Sequence, residues 1–166
     1  MDEPSATADP LAALHQEHYR RLVRLAWLLT RDEGRAEELV QDAFVDLHQR
    51  LPRLTEPGKA SGYLRVSVVN RVRSSKRHLS VVRAHRPDRL LDVASAELGA
   101  LERIQQQRII ASLDGLPRRQ REVLILRYYG QFTESEIAEA LGISRGAVKS
   151  HSSRGLHALR PVLEES

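Results

Sequence analysis

The sequence predicts an all-α protein: two small helical domains joined by a flexible linker, the C-terminal one a helix-turn-helix. Three observations predict it. No stretch alternates apolar and polar residues for long enough to make a strand. Apolar residues recur at helical spacing through residues 10–79 and again through 101–160. Between Ser80 and Gly99 that period lapses, around Pro87 and the small residues Ala94, Ser95 and Ala96.

Residues 1–9 are acidic and polar and are expected to be disordered. Asp9-Pro10 then reads as an N-cap followed by proline at the first helical position. Leu11, Leu14, Leu22, Leu25, Ala26 and Leu29 line one side of that first helix, which runs to Thr30 and carries Trp27 as a core residue. A second helix starts near Asp32 with Ala36, Leu39, Val40, Ala43, Phe44, Leu47 and Leu51 on one stripe. Pro52 ends it and Pro57-Gly58 marks a loop. A third helix, Ser61 to His78, buries Leu64, Val68 and Val72 and turns Arg65, Asn70, Arg71, Arg73, Lys76 and Arg77 outward. After the 80–100 linker, Leu101, Ile104, Ile109 and Leu113 resume the period. Leu116-Pro117 restarts a helix that runs to Tyr129, with Gly130 as its stop.

The most specific motif follows. Thr133 to Glu136 makes a capping box, and Ile137, Ala138 and Leu141 form the apolar face of a short helix. Gly142 permits a left-handed turn, Ile143 plugs the space between helices, and Ser144 caps the next one. That helix turns Val148, Ser152, Leu156 and Leu159 inward and ends at Pro161. Arg145, Gly146, Lys149, Ser150, Ser153, Arg154 and His157 fall on its outer side or first turn. Arginine and lysine suit guanine edges and phosphates, and serine hydroxyls bond either, so the outward composition fits a DNA major groove.

Charge sharpens this reading. The 166 residues carry a net +4, but residues 1–50 hold 6 basic and 10 acidic side chains whereas residues 51–90 hold 10 basic and 2 acidic. A block at +8 next to one at −4 suits a nucleic acid beside a cationic protein surface. On the second helix Glu38, Gln41, Asp42 and Asp46 share one side and form an acidic patch complementary to arginines on a partner. On the third, Asn70 is an amide among arginines: amides read base edges, and arginines follow the backbone or stack on bases.

Other chemistries find no residues. With no cysteine, there are no disulfides, thiol nucleophiles or iron–sulfur ligands. No P-loop, glycine-rich dinucleotide loop or nucleophile elbow occurs, and no cofactor or catalytic residue is expected. His15 and His18 lack the order of a zinc helix and are read as packed or exposed histidines, so no metal is expected. The longest apolar run, Leu25 to Leu29, is five residues, and the N-terminus lacks a secretory signal, so no membrane insertion and a cytoplasmic location are expected.

Leu116 to Gly130 followed by Thr133 to His151 resembles region four of bacterial RNA polymerase sigma factors. Response regulators with a C-terminal helix-turn-helix share part of it, notably Glu136-Ile-Ala and Val148-Lys-Ser-His, and a stand-alone regulator of that output type is the alternative. The N-terminal half separates the two. Arg35-Ala-Glu-Glu-Leu-Val-Gln-Asp-Ala-Phe resembles region two of the extracytoplasmic-function group of sigma factors, and Gly62 to Arg73 resembles the helix after it. A receiver domain would need alternating strands and helices with an early acidic cluster, and neither is visible.

The resemblance implies a sigma factor that binds core RNA polymerase, at its clamp helices and flap, and directs promoter recognition and opening. Residues 10–79 would be region 2 and residues 101–166 region 4. Glu38, Gln41, Asp42 and Asp46 would dock on the polymerase. Tyr63, Arg65, Asn70, Arg71, Arg73, Lys76 and Arg77, with the 52–61 loop, would take the melted −10 strand. Arg145, Gly146, Lys149, Ser150, Ser153 and Arg154 would read duplex at −35. Two positions depart from the family pattern: Tyr63 stands where members usually carry tryptophan, and His151 where many carry arginine. The class admits an anti-sigma factor as a further partner, and no residue identifies one.

Overall fold

The computed structural model describes residues 9–76 and 99–165, apart from the side chains of Pro57 and Lys76. Arg77, the end of the third helix, the first eight residues and nearly all of the 80–100 linker lie outside the described residues. Among the described residues there are seven α-helices and no strand. They divide into two compact units, the first holding three helices and the second four.

In the first unit, α1 spans Pro10–Thr30, α2 Glu33–Arg50 and α3 Ala60–Lys76. Asp9 caps α1 through its carboxylate, which accepts from the Leu11 N–H at 3.0 Å, and Pro10 opens the helix where no N–H is needed. At the other end Arg31 is left-handed, with φ 57°, and its N–H reaches the Trp27 carbonyl. The Arg31 guanidinium sits 4.1 Å from the Trp27 ring centroid, which holds a non-glycine residue in this unfavourable region. One residue later Asp32 caps α2, accepting from the Arg35 N–H at 3.0 Å. A turn this short forces α1 and α2 to pack side by side.

Both then pack on α3. Trp27, Leu25, Val40, Leu47, Leu64, Val68 and Val69 are almost wholly buried between them. The predicted stripes hold in their middles and loosen at the ends: Leu11, Leu14 and Leu51 are only half-buried. Between α2 and α3 the chain makes two short 3-10 turns, Leu51–Arg53 and Pro57–Lys59. Buried on α3 beside its valines are the hydroxyl residues Ser67 and Ser75, and Ser75 accepts from Arg35 Nε at 2.9 Å. His15 lies in a ring stack, 4.4 Å from Tyr19 and 5.0 Å from Phe44.

In the second unit, α4 spans Ala100–Asp114, α5 Arg118–Leu124, α6 Glu134–Leu141 and α7 Arg145–Glu164. The stripe expected on α4 needs correction. Leu101 and Ile104 are exposed, Ile109 and Leu113 are half-buried, Ile110 is the buried residue of α4, and Arg108 meets Glu165 at 3.5 Å where α4 lies along α7. Beyond α5 the chain widens into a π turn, Ile125–Tyr129, closed by the Gly130 N–H on the Ile125 carbonyl at 2.9 Å. Four successive residues, Val123 to Leu126, are buried there. An α-helix would spread four residues over most of its circumference, and the wider turn relaxes that constraint.

Gly130 stops the helix as expected, yet with ordinary negative φ; the left-handed residue is Gln131, at φ 56°. What requires glycine at position 130 is space. A Cβ there would come within 2.9 Å of both the Leu126 carbonyl oxygen and the Phe132 ring.

The helix-turn-helix has its expected caps. Thr133 Oγ1 accepts from the Glu136 N–H at 3.2 Å and Glu136 Oε2 accepts from the Thr133 N–H at 2.7 Å. Gly142 is left-handed at φ 64°, the Ile143 N–H donates to the Ala138 carbonyl at 3.1 Å, and Ser144 Oγ accepts from the Ala147 N–H at 3.0 Å. The inward stripe of α7 is Val148, Ser152, Gly155 and Leu159, with Leu156 half-buried at its edge beside Leu116 and Leu124. Pro161 does not end α7, which continues to Glu164. Proline this close to the C-terminus removes one backbone bond, to the carbonyl of exposed His157, and the final turn survives the loss.

The glycines yield a stability prediction. Gly130→Ala forces a Cβ onto backbone and a packed ring, and is expected to cost about 1–3 kcal/mol. Gly62→Ala, in open space within α3, is expected to add about 0.4–1 kcal/mol. Denaturant unfolding of the full chain measures both.

Candidate functional site

Three polar faces emerge from these helices. The first is on α2, where the buried stripe of Leu39, Val40, Ala43 and Leu47 leaves Glu38, Gln41 and Asp42 exposed and Asp46 half-buried. These side chains are less independent than their spacing implies. Arg35 Nη1 donates to Glu38 Oε2 at 2.6 Å, one turn along the same helix. Asp46 accepts a short bond from Arg71 Nη2, and the other terminal nitrogen of Arg71 lies 3.8 Å from Asp42.

Arg71 was expected on the DNA face of α3. The structure instead lays it across to α2, tying two of the four docking candidates. Its Nε is buried and has no hydrogen-bond partner among the described residues, so the terminal nitrogens carry the contact. The signal is weak in sequence because the partners stand 25 residues apart.

The second face is the rest of α3. Asn70 is exposed, and Arg65 and Arg73 are half-buried. Tyr63 is half-buried at the start of the helix, with the Arg50 guanidinium 5.5 Å from its ring centroid. In the preceding loop Lys59 pairs with Glu56 at 3.0 Å. Lys76 falls on the last described turn, and Arg77 lies outside the described residues.

The third face belongs to α7. Arg145, Gly146, Lys149, Ser150, Ser153 and Arg154 are all exposed, opposite the sealed stripe of Val148, Ser152, Gly155 and Leu159. His151 is half-buried and its Nδ1 has no hydrogen-bond partner among the described residues. Two acids here escaped the sequence analysis. Glu134, the first residue of α6, lies 3.4 Å from Arg145 Nε and 3.8 Å from Lys149 Nζ. Glu122 is buried on α5 and accepts from Arg118 Nε and Arg119 Nη1, each at 3.0 Å. The i,i+4 and i,i+3 spacing of that second cluster was a usable signal. The first joins two helices and had none.

Among the described residues no group of three or more acidic or histidine side chains is placed to hold a metal ion, and no helix is long and apolar enough to cross a membrane.

Comparison with known proteins agrees with this arrangement. The family described as Sigma-70 region 2 matches residues 14–80, and Sigma-70, region 4 matches residues 112–161. The chain is 32% identical over 143 residues to the RNA polymerase sigma-E factor of Streptomyces avermitilis, covering 86% of this chain and 79% of that one. It is 28% identical over 178 residues to the ECF RNA polymerase sigma factor SigE of Mycolicibacterium smegmatis, covering 98% and 69%. Its fold is similar to the sigma factor RpoE of Bartonella quintana, solved in complex with the anti-sigma factor NepR. The TM-score there is 0.63 at 22% identity, over 92% of this chain and 97% of that one. With capped helix-turn-helix, acidic α2 and basic α3 all falling inside the matched regions, the chain belongs to the sigma-70 family of RNA polymerase sigma factors, in its extracytoplasmic-function group.

Proposed function

We propose that this sigma factor has no catalytic activity of its own and works by holding core RNA polymerase and promoter DNA at once. The α2 face with Glu38, Gln41 and Asp42 docks on cationic residues of the polymerase clamp, and Asp46 backs it. Asn70, with Tyr63, Arg65, Arg73, Lys76 and Arg77, takes the separated −10 strand. Unstacking a base costs a few kcal/mol, and contacts to exposed bases and backbone offset that cost. Arg71 serves the seam between the two faces, since its guanidinium lies against Asp46 and Asp42.

On the second unit Arg145, Lys149, Ser150, Ser153 and Arg154 enter the major groove at −35, and Gly146 lets the backbone of α7 approach the DNA. Residues 10–79 and 101–166 thus act as regions 2 and 4, the latter also meeting the polymerase flap. Two weak DNA-reading surfaces carried by one enzyme gain affinity through effective concentration, so neither has to bind promoter tightly alone. The chain works in the cytoplasm, where the polymerase is, and an anti-sigma factor is the regulator that its class admits.

The observation that carries this proposal is that all six candidate −35 residues are exposed on a helix whose opposite side is closed. The test adds purified chain to core polymerase and a promoter library and scores open complexes. Co-purification with core and promoter opening support it; tight binding to a two-fold symmetric operator without polymerase contradicts it.

Two substitutions sharpen the test. Asp42→Arg reverses charge at an exposed position and is expected to reduce core affinity at least tenfold with the far-ultraviolet dichroism unchanged, read by competition for core. Lys149→Ala is expected to weaken binding similarly across promoter variants and to lower the slope of log affinity against log salt by about 1, the signature of a phosphate contact.

A further inference from the structure

We infer that Glu134 sets the specificity of the −35 contact by orienting Arg145 and restraining Lys149. This rests on the proposed role of α7 and adds a residue outside that helix. Glu134 sits at the first position of α6, and its side chain retains 19% exposure while those of Arg145 and Lys149 retain 68% and 70%. Its Oε1 atom is sealed from solvent and accepts no hydrogen bond among the described residues. The charges facing it are those of Arg145 at 3.4 Å and Lys149 at 3.8 Å, four residues apart on one side of α7.

A carboxylate oxygen without water regains its desolvation cost only while cations stay beside it. The arrangement therefore favours the conformers in which both long side chains lean toward α6. For Arg145 the approach is at Nε, which leaves the two Nη groups for the fork that bonds guanine O6 and N7. Holding the stem in advance removes part of the ordering cost of that contact. For Lys149 the effect is opposite. To follow a phosphate on any sequence it must leave a carboxylate that it shares, so binding to arbitrary duplex is disfavoured. One acid thus improves the reading of a base and weakens indiscriminate attraction to the backbone.

The test measures binding of the holoenzyme, formed with the full-length chain, to promoter duplexes varied one base pair at a time at −35, and to unrelated duplex. Glu134→Gln is expected to raise affinity for unrelated duplex about two- to fivefold. It is also expected to lower discrimination at the base pair read by Arg145 about threefold or more. Glu136→Ala breaks the cap two residues away without touching either cation and is expected to leave discrimination unchanged. In an Arg145→Ala background, Glu134→Gln is expected to change discrimination no further. If Arg145→Ala relaxes one position and Glu134→Gln does not, or if Glu134→Gln weakens all duplexes equally, the inference is wrong while the reading of α7 stands. If Arg145→Ala itself relaxes no position, the −35 assignment of Arg145 fails first.

Discussion

The outward face of α7 depends on how firmly its inward face is closed. Val148, Ser152, Gly155 and Leu159 pack at spacings of four, three and four, and at Gly155 the side chain of Leu124 comes close. A Cβ there would lie 2.8 Å from a methyl of Leu124 on α5. Such close approach fixes the rotation of α7 about its own axis. The turn fixes its start: Gly142 reverses the chain in the left-handed region, and Ser144 caps the first turn of α7. Rotation and start together decide that five polar residues and Gly146, and not the apolar ones, meet solvent. Function in this unit is the consequence of packing on its other side.

The first unit applies the same logic with charge. Buried apolar stripes on α2 and α3 bring an acidic face and a basic one to a common edge, where opposite charges would meet whatever their purpose. Arg71 occupies that edge against Asp46 and Asp42. Most half-exposed ion pairs add little stability. The more consequential effect is on availability, since a guanidinium bound to α2 is not presented in the same way as exposed Asn70 one residue away.

What was legible in the sequence was local. The caps at Asp9, Thr133 and Ser144 and the left-handed turn at Gly142 involve residues within four positions of one another, and each is found as expected. The interiors of the stripes on α1, α2, α3 and α7 were legible because burial follows the helical period. Misreadings share a cause in tertiary geometry. Leu101 and Ile104 keep the period but lie on the part of α4 outside the core. Gly155 joins the inward stripe with no apolar side chain to mark it, and the close approach of α5 is what uses it. Gly130 stops its helix as read, but the π turn before it and the left-handed Gln131 after it have no mark in the sequence. Pro161 marked an end by its chemistry, yet stood too near the terminus to break anything. Of the site, the outward residues of α7 were legible, whereas the partners that hold them, Glu134 above all, come from another helix.

In the proposed mechanism the two units take different forms of DNA, one a parted strand and the other an intact duplex. The chain has no cysteine, so a DNA-cleaving chelate can be attached at a single introduced site. Two exposed serines serve: Ser74 on α3 and Ser153 on α7. In the open complex, a chelate on Ser74→Cys should cut within the −10 stretch that becomes permanganate-reactive. A chelate on Ser153→Cys should cut both strands across the −35 major groove, where the thymines remain unreactive. Cutting by both probes in the same element, or cutting from α7 confined to melted DNA, would contradict the account.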